Sequence, residues 1–211
     1  ENCKLFPLKE EKIEDEPNLI YSMTKRSCES LCSSYVQNYN MNITTLRFFN
    51  VYGPHQDFKR KQPPLMGYIT KTLLENRIPT FYSDGDQKRD YIYIEDIHRM
   101  ISKVIETPES KGEIFNACTG KAYSVKEIYK IFRTHFKKSK NPEFKNSKEF
   151  WSNYPDLFLG NYALQKNRVV KEVNKYSLGS FSKANEILGW SPSVEIEDGI
   201  EKCVKYAISV R

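Results

Sequence analysis

Glycine is scarce and widely scattered in this chain. The sequence holds nine glycines, and no two of them lie closer together than Gly112 and Gly120. Proteins that bind a dinucleotide hold its pyrophosphate on a glycine-rich turn, where backbone amides and a helix N-terminus meet the phosphates. This sequence cannot form such a turn. We therefore expect the phosphates of any bound dinucleotide to be held by a segment outside these 211 residues.

Long apolar runs, cysteine pairs and clustered histidines are also missing. No run approaches the ~18 apolar residues of a membrane-spanning helix. The five cysteines include no C-x-x-C pair, which favours reduced thiols in or near the core and a reducing compartment. The three histidines are too dispersed for a metal site. These absences predict a cytoplasmic protein with no membrane segment and no bound metal.

Positive charge exceeds negative charge, giving a net charge of +6. The basic residues are spread along the chain, with modest clusters at 59–61 and 137–140, and no nucleic-acid-binding motif accompanies them. We therefore expect no nucleic-acid partner. A positive potential would instead attract an anionic substrate such as a diphosphate.

The spacing of apolar residues predicts a mixed α/β chain. Residues 20–39 have the pattern of a helix with one buried face, and 43–51 have that of a buried strand, which Gly53 and Pro54 end. A helix followed at once by such a strand is half of a parallel α/β unit. Further helices are predicted at 65–76, 95–106, 124–136, 182–188 and 197–208, and further strands at 80–82, 91–94 and 113–117.

Tyr21 and Lys25 form the most informative pair in the sequence. Positions four apart on a helix lie on the same face. A free tyrosine has a pKa near 10 and is a poor base at neutral pH, but a neighbouring cation favours its phenolate. The pair can therefore form a general base that takes a proton from a hydroxyl. The same spacing also occurs by chance on surface helices, so the surrounding motifs must decide.

Four motifs follow this pair. They are Leu-Arg-Phe-Phe-Asn-Val-Tyr-Gly-Pro at 46–54, Asp-Gly-Asp-Gln-Lys-Arg-Asp-Tyr at 84–91, Phe-Asn-Ala-Cys-Thr-Gly at 115–120, and Ser-Lys-Ala leading to Leu-Gly-Trp at 182–190. In this order and spacing the chain resembles the NAD-dependent nucleotide-sugar epimerases and dehydratases of the extended short-chain dehydrogenase/reductase family. The resemblance runs from about Tyr21 to the C-terminus. It is specific for the family and much less so for the sugar.

The resemblance implies a fold of the α/β class. We expect an incomplete Rossmann-type parallel sheet, whose N-terminal glycine-rich half is missing, with a smaller C-terminal substrate-binding domain. Residues 1–53 and 90–118 would belong to the dinucleotide-binding domain, and 54–89 and 119–211 to the substrate-binding domain. Because the chain opens at Glu1 without a methionine, we expect the C-terminal part of a longer enzyme or one piece of a split one.

The resemblance also assigns catalytic and cofactor roles. In such enzymes NAD takes a hydride from C4 of the sugar while a base takes the C4 hydroxyl proton. Tyr21 matches that base, and Lys25 matches the residue that favours the phenolate and binds the nicotinamide ribose. The backbone near Phe48 runs close to the nicotinamide in relatives, although its side chain also suits a core position.

Substrate-binding roles are implied for five residues. Asn50 matches an asparagine that hydrogen-bonds a substrate phosphate, although it could simply end its strand. Arg89 matches an arginine that clamps the diphosphate, with a surface salt bridge to a neighbouring aspartate as the alternative. Tyr91 is a candidate phosphate contact, and Phe81 or the adjacent tyrosine could line the base pocket. Arg168 is the only arginine in the region where relatives carry an Arg-Pro-Gly-Asp segment, which is absent here.

The expected activity is that of a nucleotide-sugar epimerase working through a 4-keto intermediate on a nucleotide-diphosphate sugar. A 4,6-dehydratase or a decarboxylase of the same family remains open, because the residues that separate them would precede Tyr21. A catalytically silent fragment, or a subunit that needs a partner segment, is the alternative of another class. Relatives dimerise through the tyrosine helix, so a homodimer is implied. Asp96 also matches a family position, although a helix N-cap explains it equally well.

Overall fold

The structure is a computed structural model, which describes residues 6–11, 19–136, 140–167, 169 and 175–210. The chain forms two compact units, each assembled from three stretches. Unit 1 comprises Glu1–Val51, Asp90–Ala122 and Ser177–Val194, and unit 2 comprises Tyr52–Arg89, Tyr123–Tyr176 and Glu195–Arg211. The sequence-based division gave all of 119–211 to one domain, whereas the structure groups 177–194 with unit 1.

Helices and short strands are interspersed along the chain. In chain order the helices are α1 (Ile20–Tyr39), α2 (Leu65–Leu74), α3 (Ile94–Glu106), α4 (Val125–His135), α5 (Ser147–Trp151), α6 (Ser182–Leu188) and α7 (Ile196–Ser209). The strands are β1 (Thr45–Phe48), β2 (Asn50–Tyr52), β3 (Thr80–Phe81), β4 (Lys88–Tyr93), β5 (Ile114–Ala117), β6 (Ala122–Ser124) and β7 (Glu143–Phe144). Single 3-10 turns lie at Pro108–Ser110 and Pro155–Phe158.

Parallel strand pairing confirms the predicted α/β class. β1 lies parallel to β5, in a register that pairs Thr45 with Ile114 and Phe48 with Ala117. β3 and β7 are also parallel, and β2, β4 and β6 form a three-stranded sheet in the order β2-β4-β6. The predicted strand over 43–51 is divided at Phe49, whose N–H donates to the carbonyl of Ala117.

The core of unit 1 explains why residues 177–194 belong to it. Apolar side chains of α6 and the residues after it are buried against β4, α3 and β5. The buried members of this cluster are Ile92, Ile97, Met100, Phe115, Ala117, Ala184, Leu188 and Trp190. Burying a side chain of this size stabilises a fold by roughly 1.5–3 kcal/mol. The short helix α6 is therefore a structural part of unit 1.

Asp96 secures the same segment, and it is not the N-cap that the sequence suggested. The N-cap of α3 is Tyr93. The fully buried Asp96 carboxylate accepts hydrogen bonds from the backbone amides of Ser193 and Val194, with donor–acceptor distances of 3.2 Å each, and pairs with Arg99. Its carbonyl accepts the indole N–H of Trp190 at 3.1 Å. A buried carboxylate needs such partners, and these fix residues 190–194 against the start of α3.

The buried stripe predicted for α1 is wrong, although the helix begins and ends where expected. No α1 residue is buried, and Ile20, Leu31 and Tyr39 are all largely exposed. Among the described residues, β1 meets this helix through the Arg47–Glu29 ion pair, and Val36 lies beside Gly112. The apolar pattern identifies a face that favours burial, but it cannot say whether a neighbouring element covers that face.

The cysteine prediction holds only in part. Cys118 and Cys203 are buried and free, as expected of reduced core thiols. Burial raises the pKa of the Cys203 thiol to about 12 and drives the pKa of the Cys118 thiol far above its usual range. On α1, Cys28 is exposed and Cys32 is half-buried, so Cys28 does not lie in or near the core, and Cys3 lies outside the described residues.

A bidentate ion pair holds α1 to β1. The Arg47 Nε and Nη2 atoms donate to the two carboxylate oxygens of Glu29 at 2.7 and 2.8 Å, and Nη1 donates to the carbonyl of Glu10 at 2.8 Å. Both side chains of the pair are mostly shielded, at 21% and 14% exposure. The hydrogen bond from Arg47 is the main reason that the pKa of Glu29 lies below its ordinary value.

We expect Glu29→Gln to destabilise the protein by about 1–2 kcal/mol at neutral pH, because it removes a charge-assisted pair. A folded-state pKa below the unfolded value means that the contribution is present above the unfolded pKa, near 4.5, and is lost as the pH falls through the folded pKa. Urea unfolding at several pH values should therefore show the difference between wild type and variant shrinking in acid. Glu109→Gln, an exposed glutamate in the same unit, is the matched control and should show almost no difference. A difference that stays constant or grows in acid would contradict the ion-pair explanation.

Candidate active site

Tyr21 and Lys25 lie together in the first turns of α1. The Lys25 Nζ atom is 5.5 Å from the centroid of the Tyr21 ring, so the two side chains share one face, as their spacing predicts. The turn between them is regular, and the Thr24 hydroxyl donates to the Tyr21 carbonyl at 2.8 Å. Tyr21 is 70% exposed. A phenol and an ammonium so placed can exchange a proton with a bound hydroxyl, provided that a ligand or another segment excludes water from them.

Phe48 marks the carboxyl end of β1. Its side chain is half exposed, which is unusual for a large aromatic residue in a strand. Ligands of open α/β sheets bind outside the carboxyl ends of the parallel strands. The predicted contact of Phe48 with the cofactor stays a prediction.

Asn50 begins β2 and does not end a strand, contrary to one of the two expectations for it. Its side-chain Nδ2 atom donates to the backbone carbonyl of Asp90 at 2.7 Å. Within the described part of the chain the amide makes no other hydrogen bond that involves its side chain. Among the described residues, therefore, one N–H and the carbonyl oxygen of the Asn50 side chain have no hydrogen-bond partner, and the predicted phosphate contact stays a prediction.

Asp90 lies at the centre of the polar network in unit 1. Its carboxylate is fully buried and accepts hydrogen bonds from the Thr119 amide, the Thr119 hydroxyl, the Gly120 amide and the Gly179 amide, at 2.9, 2.7, 3.0 and 3.2 Å. Burial raises the pKa of Asp90, and the donors from Thr119, Gly179 and Gly120 oppose that rise. Asp90 is the first residue of β4 that belongs to unit 1, and the network joins it to the turn after β5 and to Gly179.

Tyr91 follows Asp90 and is 6% exposed, so its ring belongs to the interior of unit 1. In unit 2, Arg89 is partly exposed on β4. The predicted contacts of Tyr91 and Arg89 with the substrate stay predictions. Arg168 lies outside the described residues.

Phe81 is packed inside an aromatic cluster of unit 2. Its ring centroid lies 6.0, 6.1 and 5.8 Å from those of Tyr68, Tyr129 and Phe144. The ring centroid of the neighbouring Tyr82 instead lies 5.1 Å from that of Phe150. Phe81 is therefore a core residue of unit 2, and its predicted place in a base pocket stays a prediction.

Sequence reasoning missed Asp90, Thr119 and the buried Glu10. Glu10 accepts the backbone N–H of Asn116 at 2.8 Å, and its segment pairs with residues 178–180 through Leu8. The signal for Asp90 was available: it is an acidic residue directly before the strongly apolar run 91–94. A carboxylate in such a strand is buried and therefore needs donors, which residues after nearby strands can supply.

The described residues show no sign of a metal site or of a membrane-spanning helix. No group of three or more His, Cys, Asp or Glu side chains there could hold a metal ion. None of the helices in the described ranges has both the length and the apolar character needed to cross a membrane.

Comparison with known proteins identifies clear relatives. The UDP-glucuronate 4-epimerase of Thermodesulfobacterium geofontis is 28% identical over 202 residues, which are 95% of this chain and 54% of that protein. The crystal structure of UDP-glucose 4-epimerase from Thermotoga maritima with UDP-glucose superposes with a TM-score of 0.81 at 27% identity, covering 99% of this chain and 59% of that one. UDP-glucuronic acid 4-epimerase from Bacillus cereus, in complex with UDP-glucuronic acid and NAD, gives a TM-score of 0.74 at 28% identity, with 97% and 57% coverage.

The likeness extends over nearly the whole chain, which spans about half the length of the curated relatives it matches. It supports the predicted partial Rossmann-type fold and confirms the resemblance drawn from the sequence motifs. The family model described as GDP-mannose 4,6 dehydratase matches residues 4–203. This chain therefore belongs to the GDP-mannose 4,6-dehydratase family.

Proposed function

We propose that this chain supplies the tyrosine–lysine base and part of the substrate site of a nucleotide-sugar epimerase that works through a 4-keto sugar. The observation that carries the proposal is the pairing of Tyr21 with Lys25 on one face of α1. The relatives named as 4-epimerases support the reaction class, and the structures that hold UDP-sugars support a nucleotide-diphosphate sugar as substrate.

NAD is the cofactor that fits this site, and a homologous epimerase structure holds it. When bound, it accepts a hydride from the sugar and later returns it. Tyr21 and Lys25 would hold its nicotinamide ribose, since a phenol and an ammonium both offer donors to ribose hydroxyls. Phe48 would flank the nicotinamide from the carboxyl end of β1. The sequence has no glycine-rich turn for the pyrophosphate, so these residues fit only the nicotinamide end.

Tyr21 acts as the general base. Its phenolate takes the proton of the C4 hydroxyl as the C4 hydride leaves, which turns the alcohol into a ketone. Lys25 stabilises the phenolate through its positive charge. After the keto sugar has rotated to present its other face, Tyr21 would return the proton to the C4 oxygen as the hydride is added back to C4.

The substrate would be held by the residues that the family resemblance assigns to its diphosphate and base. Asn50 offers its free N–H to a phosphate oxygen, and Arg89 and Arg168 offer guanidinium groups that suit phosphate geometry. Tyr91 and Phe81 complete the proposed set. A homodimer through α1 is part of the proposal, because the exposed apolar residues of that helix favour burial.

Other activities of the family, and a chain with no activity of its own, are the alternatives. The matching family model is described as a 4,6-dehydratase, which shares the 4-keto intermediate and then eliminates water. A decarboxylase would share that intermediate too. A silent fragment, or a subunit completed by a partner segment, is supported by the exposed face of α1.

We expect the isolated 211-residue chain neither to retain NAD nor to convert a UDP-sugar, because it lacks a pyrophosphate-binding turn. The protein expressed from the complete reading frame that contains this chain should do both. Absorbance of the purified proteins and of their acid extracts measures NAD, and chromatography of UDP-glucose and UDP-glucuronic acid after incubation measures epimerisation. Stoichiometric NAD on the isolated chain would refute this expectation, and a complete protein that converts no nucleotide sugar would refute the proposed function.

A further inference from the structure

Every polar atom of Asp90, in its backbone and in its side chain, makes a hydrogen bond. Its carboxylate accepts hydrogen bonds from Thr119, Gly120 and Gly179. Its N–H donates to the Ser177 hydroxyl at 3.4 Å. Because the side chain is held from several directions, the peptide group that follows it has little freedom to rotate.

The carbonyl of that fixed peptide is the acceptor for Asn50. The Nδ2–carbonyl distance of 2.7 Å is short for a hydrogen bond between neutral groups. The bond also decides which way the Asn50 amide faces, because a flipped amide would bring two oxygens together. The second N–H of Asn50 consequently has one defined direction.

We propose that Asp90 is a positioning residue for the substrate site, which acts by fixing the Asn50 amide with one N–H free for a phosphate oxygen. The inference rests on the proposed function, in which Asn50 contacts the diphosphate. A donor that is oriented in advance binds an anion more tightly, since binding then costs less side-chain entropy. The buried Asp90 carboxylate therefore has a functional consequence at Asn50, whose amide it holds in one orientation.

Two variants of the complete protein test this inference. Asp90→Asn replaces an acceptor with a donor that faces backbone amides, and we expect it to raise the dissociation constant for UDP and the KM for the nucleotide sugar about tenfold. Thr119→Val removes one donor to Asp90 while keeping the side-chain volume, and we expect an increase of about threefold. The kcat should stay near the wild-type value in both, because neither residue touches the reacting atoms. Calorimetry gives the UDP affinity independently of turnover.

The Asn50→Ala background separates positioning from general destabilisation. If Asp90 acts through Asn50, Asp90→Asn and Thr119→Val should cause no further loss of UDP affinity in that background. Thr44→Val is the matched control, because the Thr44 hydroxyl donates to the Ser110 carbonyl at 2.7 Å elsewhere in unit 1. It should lower the melting temperature without changing UDP affinity.

The outcomes distinguish the inference from the function on which it rests. Unchanged UDP affinity in both variants, or an equal loss with and without Asn50, would overturn the positioning role alone. Wild-type protein that binds no UDP would overturn the proposed function and the positioning role together.

Discussion

Tyr21→Phe in the complete protein should lower kcat by about 10²–10⁴, the contribution typical of a general base. The KM for the nucleotide sugar should change little, and the amount of bound NAD should fall only modestly, because Lys25 still offers its ammonium to the nicotinamide ribose. Phenylalanine keeps the aromatic ring near Lys25 but has no oxygen to take the C4 proton. Steady-state kinetics with a UDP-sugar, together with NAD quantitation, measure both effects.

Tyr39→Phe is the matched control for that experiment. Tyr39 lies on the same helix and is exposed to a similar degree, at 73% against 70%. The control should turn over at the wild-type rate. If Tyr21→Phe were as active as Tyr39→Phe, the tyrosine–lysine base would be wrong, and only membership of the family would remain.

Asp90→Ala should destabilise unit 1 by about 3–5 kcal/mol, because it leaves buried donors without an acceptor. The donors are the Thr119 amide and hydroxyl and the amides of Gly120 and Gly179. Alanine also leaves a space that the surrounding backbone cannot easily fill. This is the largest loss of stability that we expect from a single substitution outside the apolar cores.

Fluorescence can assign that loss to unit 1. The chain has two tryptophans, and Trp190 lies in the core of unit 1. In a Trp151→Phe background, urea unfolding followed by the fluorescence of Trp190 should show an earlier midpoint for Asp90→Ala. Asp57→Ala removes an exposed carboxylate that accepts the amides of Lys59 and Arg60, and it should cost less than about 1 kcal/mol. Equal effects of the two substitutions would contradict the central role of Asp90.

Local features were predictable from the sequence because they depend on neighbours along the chain. The bounds of α1 and the shared face of Tyr21 and Lys25 follow from helical periodicity. The cap of α4 follows from Ser124 and Glu127, which form a capping box in the structure. The parallel α/β class followed from the order of helix and strand, whereas the pairing of β1 with β5 is known from the structure.

Long-range features were not predictable in the same way. The Asn50–Asp90 bond joins residues 40 positions apart, and nothing in the local sequence names the partner of either. The exposed face of α1 depends on which other elements reach it. Asp96 illustrates the same limit: its position at the start of α3 suggested a cap, but tertiary contacts with Ser193 and Val194 decide its role.

The interleaving of the two units has a consequence for biosynthesis. Since unit 1 needs residues 177–194, its strands β1 and β5 emerge from the ribosome long before the segment that carries Trp190 can close over them. During that interval apolar side chains such as Phe115 stay accessible to chaperones and to other nascent chains. No single proteolytic cut can release either unit whole, so a nick between them should leave two pieces that still hold together.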